Sequence, residues 1–157
     1  MILSIDPGNI ESAYVLLDDN LKPVEFGKFI NENVRQELRR YLNKYHHEIH
    51  IAIEMIASYG MAVGKEVFET CIWIGRFTEM VETFNMNTHY IYRKDEKINL
   101  CGTMKAKDSN IIQALKDRFG DKGTKKAPGW FYGFGKDVWQ AYAVGVTYHD
   151  MYLKPNE

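Results

Sequence analysis

The sequence contains no apolar run of membrane-spanning length and no signal-peptide pattern. It has only two cysteines, Cys71 and Cys101, in unrelated contexts and without metal-site spacing. These absences predict a cytoplasmic protein in a reducing compartment, with no membrane partner. An excess of charge is missing too: 20 Lys/Arg stand against 21 Asp/Glu, a net charge of −1. Nor is there a second phosphate loop. That argues against the two-halved ATP-binding fold whose first strand also ends Asp-x-Gly, and that fold needs far more than 157 residues. With 45% hydrophobic and 26% charged residues, the composition is that of one ordinary globular domain spanning 1–157.

What is present starts at the first residues. Ile2-Leu3-Ser4-Ile5-Asp6-Pro7-Gly8-Asn9 reads as a buried strand that ends on an acid and turns at Pro7-Gly8. Alternation places Ser4 and Asp6 on one face, Leu3 and Ile5 on the other. Strands are predicted at 1–6, 11–18 and 22–30 as a meander, then an amphipathic helix over 31–46. His46, His47 and His50 follow. They suit the negative end of that helix better than a metal cluster, because the third belongs to the next strand.

Residues 49–54, Ile-His-Ile-Ala-Ile-Glu, form a strand that again ends on an acid, with the small Ala52 two positions before it. A helical crossover through 31–46 permits parallel pairing with the first strand, which makes Asp6 and Glu54 neighbours. A helix over 63–84 turns Val67, Cys71, Trp73, Ile74, Phe77, Met80, Val81 and Phe84 inward. Phe68 and Ile72 fall on its charged face and read as a dimer contact, the alternative being cover by a loop of the same chain.

A strand over 87–93 leads into a basic stretch. From Arg93 to Lys126 there are ten Lys/Arg and five Asp/Glu, a local balance of +5 that leaves −6 for the remainder. Such asymmetry suits a polyanion-facing surface or a solvated helix and loop. A helix near 105–119 is followed by a Gly-rich loop over 120–136, in which Trp130, Phe131, Tyr132 and Phe134 pack on the core in preference to stacking on bases. The last helix, 136–152, has an inward stripe of Asp137, Ala141, Val144 and Tyr148, with Gln140 at its edge. Ala141, Ala143 and Gly145 allow close approach to Ser4 and Ala52, which brings Asp137 to the ends of both acid-tipped strands. Three carboxylates converging without His or Cys make a hard-oxygen site for Mg²⁺ or Mn²⁺. A pair of such ions clamps both oxygens of an in-line phosphoryl displacement.

Ser4-Ile5-Asp6-Pro7-Gly8, Ile53-Glu54, and Asp137 opening an Ala-rich helix together resemble the RuvC family of Holliday junction resolvases, in the ribonuclease H-like superfamily. The similarity follows the chain in order and spacing, most closely to compact forms encoded by bacteriophages. The resemblance implies an α/β fold with a five-stranded mixed sheet flanked by α-helices. It implies a homodimer that resolves four-way, branched DNA by paired symmetric nicks with up to two Mg²⁺ or Mn²⁺ ions per site. Asp6, Glu54 and Asp137 match three family acids, catalytic and metal-binding. Gln140 occupies the place of a fourth, where a neutral carbonyl is a weaker ligand. Asp150 cannot replace it, lying about 220° round the helix from Asp137.

Lys94, Lys105 and Lys107 fall where the family keeps phosphate-neutralising residues, Arg93 is a further DNA-binding candidate at the start of the same basic stretch, and Tyr59, with Met61 second, is nearest to its junction-opening aromatic. Phe68 and Ile72 lie on the helix through which the family dimerises. Two alternatives stay open: a junction-binding protein without cleavage, and a ribonuclease H or transposase-type nuclease on the same fold.

Overall fold

The computed structural model describes residues 1–154 and shows a three-layer α/β/α arrangement. Five strands form one mixed sheet in the order β3-β2-β1-β4-β5. They are β1 (Ile2–Asp6), β2 (Glu11–Leu17), β3 (Pro23–Ile30), β4 (His50–Met55) and β5 (Thr88–Tyr92). The first three make the expected antiparallel meander, and β4 and β5 run parallel to β1. The crossover from β3 to β4 is α1 (Asn31–Tyr45), so β1 and β4 lie side by side with Ile5 opposite Ile53. Asp6 and Glu54 are each one step beyond that pair.

The alternation along β1 and β4 divides two cores, because successive side chains leave opposite faces of a pleated strand. Leu3, Ile5, Ile51 and Ile53 pack with α1 and α2 (Lys65–Glu82). Ala13 and Ala52 lie on the other face, against α5 (Lys136–Tyr148). Gly145 of α5 sits directly over β1: a Cβ there would come within 2.8 Å of Ser4 Oγ. Small residues on both partners let the helix settle onto the strand, and this close approach positions its first turn over the sheet's acid-tipped edge.

The turn after Asp6 is pinned by its own network. The Gly8 amide donates to Ser12 Oγ at 3.1 Å, Ser12 donates to Asn31 Oδ1 at 2.5 Å, and Asn31 Nδ2 donates back to the Gly8 carbonyl at 2.9 Å. Gly8 has no room for a side chain, since a Cβ would lie 2.2 Å from the Glu11 carbonyl oxygen.

Four expectations need correction. The basic stretch opens with a helix of its own, α3 (Arg93–Cys101), ahead of α4 (Asp108–Phe119), which starts three residues later than expected. The sequence concealed α3 because it lacks an apolar stripe; its one buried residue is Glu96. On α2, Ile74, Phe77, Met80 and Val81 are buried, but Val67, Cys71, Trp73 and Phe84 are only half so. Helix α5 has no single inward stripe. It is buried all round from Val138 to Tyr148, because the sheet covers one side and α3, α4 and the 120–135 loop cover the other. After Tyr148 it widens into a π-helical turn, His149–Leu153.

The aromatic loop does pack inward: Phe131 and Phe134 are buried, with Trp130 stacked on Phe119, while Tyr132 stays exposed. The histidines separate, with His46 against His47 and His50 beside the Tyr148 hydroxyl at 3.1 Å. No helix among the described residues is long and apolar enough to cross a membrane.

Candidate active site

The two strand-end acids and the first turn of α5 meet at one place. Asp6 and Asp137 line a pocket of about 330 Å³ together with the Pro7–Glu11 turn, Ala13 and Lys28. Asp137 lies in the first turn of its helix, where the exposed amides favour an anion. Its neighbour in space is Lys28, whose Nζ lies 2.5 Å from Asp137 Oδ2. Sheet register explains the arrival of this lysine. Asp6 pairs with Ala13 and Ala13 with Lys28, so the three form one row across β1, β2 and β3, and the small Ala13 leaves the space between them open.

Glu54 lies on the β4 side of Asp6, and its Oε2 is buried with no hydrogen-bond partner. Beside it is Glu96, reaching in from α3 and completely buried. Arg93, on the same helix, donates to Glu96 Oε1 at 3.1 Å and also contacts Gln140 Oε1 and Asp108. The site thus holds Asp6, Glu54, Glu96 and Asp137 against the nearby cations Lys28 and Arg93.

The electrostatics follow from that imbalance. Asp6 is pushed up to about 8, first by burial and then by Glu54 and Asp137, against the opposing pull of Arg93 and Lys28. Burial also raises Glu54, although Glu96 and Arg93 counter it. Glu96 is raised well above the usual carboxylate range by burial and then by Glu54. Carboxylates in this condition require protons or a cation. The donor atoms are hard oxygens, and Glu54 Oε2 lacks a donor; both features fit a divalent ion of the Mg²⁺ type. The cage is not closed: among the described residues no three acidic, histidine or cysteine groups surround a common point, and Asp137 leans on Lys28 as Glu96 leans on Arg93.

The other candidate residues divide. Tyr59, Arg93 and Lys94 line a second pocket of about 260 Å³ with Lys97 and Met104, adjoining the acid cluster through Arg93. Tyr59 is exposed and has a left-handed backbone, φ 49°. Arg93 itself faces inward, its guanidinium engaged by the site's own residues. Lys105 and Lys107 are exposed on the α3–α4 connection. Gln140 is buried, and its carbonyl is held by Arg93. Asp150 is remote from the site, paired with Arg118 at 2.6 Å and Asn99 at 2.8 Å. Phe68 and Ile72 are exposed on α2, 60% and 55%.

Sequence reasoning missed Glu96 and Lys28. The local signal for Lys28 is its register with Asp6; for Glu96 it is an acid three residues after Arg93 within an otherwise basic run.

No protein-family model matches the chain, and no curated protein matches it. Solved structures do. Thermus thermophilus RuvC aligns with a TM-score of 0.71 at 14% identity, covering 96% of this chain and 95% of its own. The fold is RuvC-like. The same protein in complex with a Holliday junction substrate aligns equally well, TM-score 0.71 at 15% identity, over 97% of this chain and 93% of that one. Fowlpox virus resolvase, solved with Holliday junction DNA, aligns with a TM-score of 0.55 at 15% identity, over 96% and 99%. The RuvC-like likeness therefore runs the length of the chain, at an identity where architecture is preserved and side chains are free to differ.

Proposed function

We propose that this protein is a metal-dependent endonuclease that resolves four-way DNA junctions. The observation that carries the reading is Asp6 flanked by Glu54 on one side and Asp137 on the other, at the strand ends of a RuvC-like fold. Asp6, Glu54 and Asp137 would hold Mg²⁺ or Mn²⁺, which would supply an activated water and charge neutralisation at the leaving oxygen. In the hydrolysis, water adds to phosphorus as the P–O3′ bond breaks, leaving a 5′-phosphate and a 3′-hydroxyl. Lys94, Lys97, Lys105 and Lys107 neutralise phosphates beside the site, which gives affinity and salt dependence but no sequence choice. Tyr59, exposed at the rim of the second pocket, is available to stack on an unpaired base at the branch point. Two copies joined through Phe68 and Ile72 present two sites about a two-fold axis, as paired nicks in a four-way junction require.

One observation favours a second reading, a junction binder without cleavage: the carbonyl of Gln140 is occupied by Arg93 and offers nothing to a second metal ion. The experiment is cleavage of an end-labelled four-way junction beside linear duplex and an RNA–DNA hybrid, with Mg²⁺, Mn²⁺ or EDTA. Paired nicks in the junction alone are expected, lost with EDTA. Asp6→Asn should slow cutting by at least about a hundredfold while junction binding persists. Binding without cutting in either metal selects the second reading, and cutting of the hybrid instead selects a ribonuclease H-type enzyme.

A further inference from the structure

The acid that α5 lacks has a replacement in the fold. Position 140 carries a neutral amide whose oxygen already accepts from Arg93 and whose Nε2, buried, has no partner. Across the same small space stands Glu96, with no solvent exposure. Its two oxygens differ. Oε1 accepts from Arg93 at 3.1 Å, whereas Oε2 is buried without any donor. Glu54 presents the same picture, a buried Oε2 without a donor, and the two carboxyls lie within hydrogen-bonding reach of each other.

Arg93 does not resolve this. Its single charge is shared among Glu96, Gln140 and Asp108. Lys28 is committed to Asp137 on the far side of Asp6. Two buried carboxylates in contact, each with an oxygen that nothing satisfies, form a gap that a proton or a cation fills. A structural ion pair with Arg93 would explain Oε1 of Glu96; it leaves Oε2 and Glu54 unexplained.

We propose that Glu96 is the fourth metal-binding carboxylate of this site, supplied from α3 in place of the acid that α5 leaves neutral at Gln140. The inference rests on the proposed metal-dependent reading of the site and specifies which side chains hold the ion. Glu54 and Glu96 then share a cation on the β4 side of Asp6, while Asp137 serves the other side once Lys28 releases it. Arg93 orients Glu96 through Oε1 and keeps Oε2 free. Gln140 holds Arg93 in turn and is no ligand itself.

The test is binding of Mn²⁺ alone, followed by electron paramagnetic resonance, to the full chain and to E96Q. Wild type should bind Mn²⁺, and E96Q should bind at least about tenfold more weakly, or one ion fewer. Q140D in the E96Q background should recover the loss, since it returns an acid to the same space. Equal affinity in wild type and E96Q overturns the proposal, as does a wild type that binds no Mn²⁺.

A second measurement needs no variant, should E96Q fail to fold. Fe²⁺ with ascorbate cleaves a polypeptide near its metal ligands, and cuts near residues 6, 54 and 96 are expected. Cuts at 6 and 54 without one at 96 overturn the assignment. Junction cleavage is scored separately. Mn²⁺ held through Glu96 by a protein that leaves junctions uncut refutes the nuclease reading and keeps this one; cutting by a protein whose Mn²⁺ affinity ignores Glu96 does the reverse.

Discussion

Lys28 and Asp137 meet at 2.5 Å across the mouth of the acidic pocket, one from an edge strand and one from the last helix. The lysine is 45% exposed and the aspartate 34%. A half-exposed pair of this kind contributes up to about 1 kcal/mol. Lys28 therefore competes with any cation for Asp137. Lys28→Ala should tighten Mn²⁺ binding by up to about fivefold, measured by calorimetric titration. Weaker binding would mean that Lys28 assists the site through another contact.

Asp150 offers a pH prediction away from the site. Burial pushes its carboxyl up, but hydrogen bonds from Arg118, Asn99 and His149 outweigh burial and hold it at about 2, below the usual 3.8. A lowered folded-state value means that the unfolded chain binds the proton more readily. The stabilisation is therefore present above about pH 4 and is lost as pH falls through 2. Asp150→Asn should cost about 1–2 kcal/mol at pH 7, and the gap from wild type should close toward pH 2 in denaturation curves.

Phe68 and Ile72 stand four residues apart on one turn of α2, both mostly exposed. A charge there is costly only if the face is covered by another chain. Phe68→Glu should convert dimers to monomers in light scattering without lowering the melting temperature of the fold by more than a few degrees. An unchanged mass would remove this face from the interface.

Lys105 and Lys107 are exposed and belong to none of the ion pairs found among the described residues. If each neutralises one phosphate, the double alanine variant should weaken junction binding. It should also reduce the slope of log K against log salt by about 1.8. An unchanged slope moves the DNA path away from the α3–α4 connection.

Much of the architecture was legible because its causes are local. The period of two along residues 2–6 and 50–54 told which side chains share a face, and Pro7-Gly8 told where the first strand must turn. Small residues at Ser4, Ala52 and Gly145 told that α5 could lie close on the sheet, and Asp137 followed from its place in that helix. The dimer face, the metal and the junction are further claims, which the experiments above address.

The sequence by itself determined that Asp6 and Glu54 end neighbouring strands, since alternation, turn chemistry and a crossover of helical length need no distant contact. Only the tertiary structure decided which other charges join them. Lys28 arrives through two successive strand registers, and no short-range pattern specifies a register across three strands. Glu96 arrives on a helix with no apolar face, inside a run whose net charge is positive, so its burial has no signature along the chain. Gln140 gains its Arg93 partner only when α3 folds against α5. Pairings of this kind are made by groups far apart in sequence, and the free energy that selects them, the desolvation of several carboxylates in one small space, exists only after the chain has closed around them.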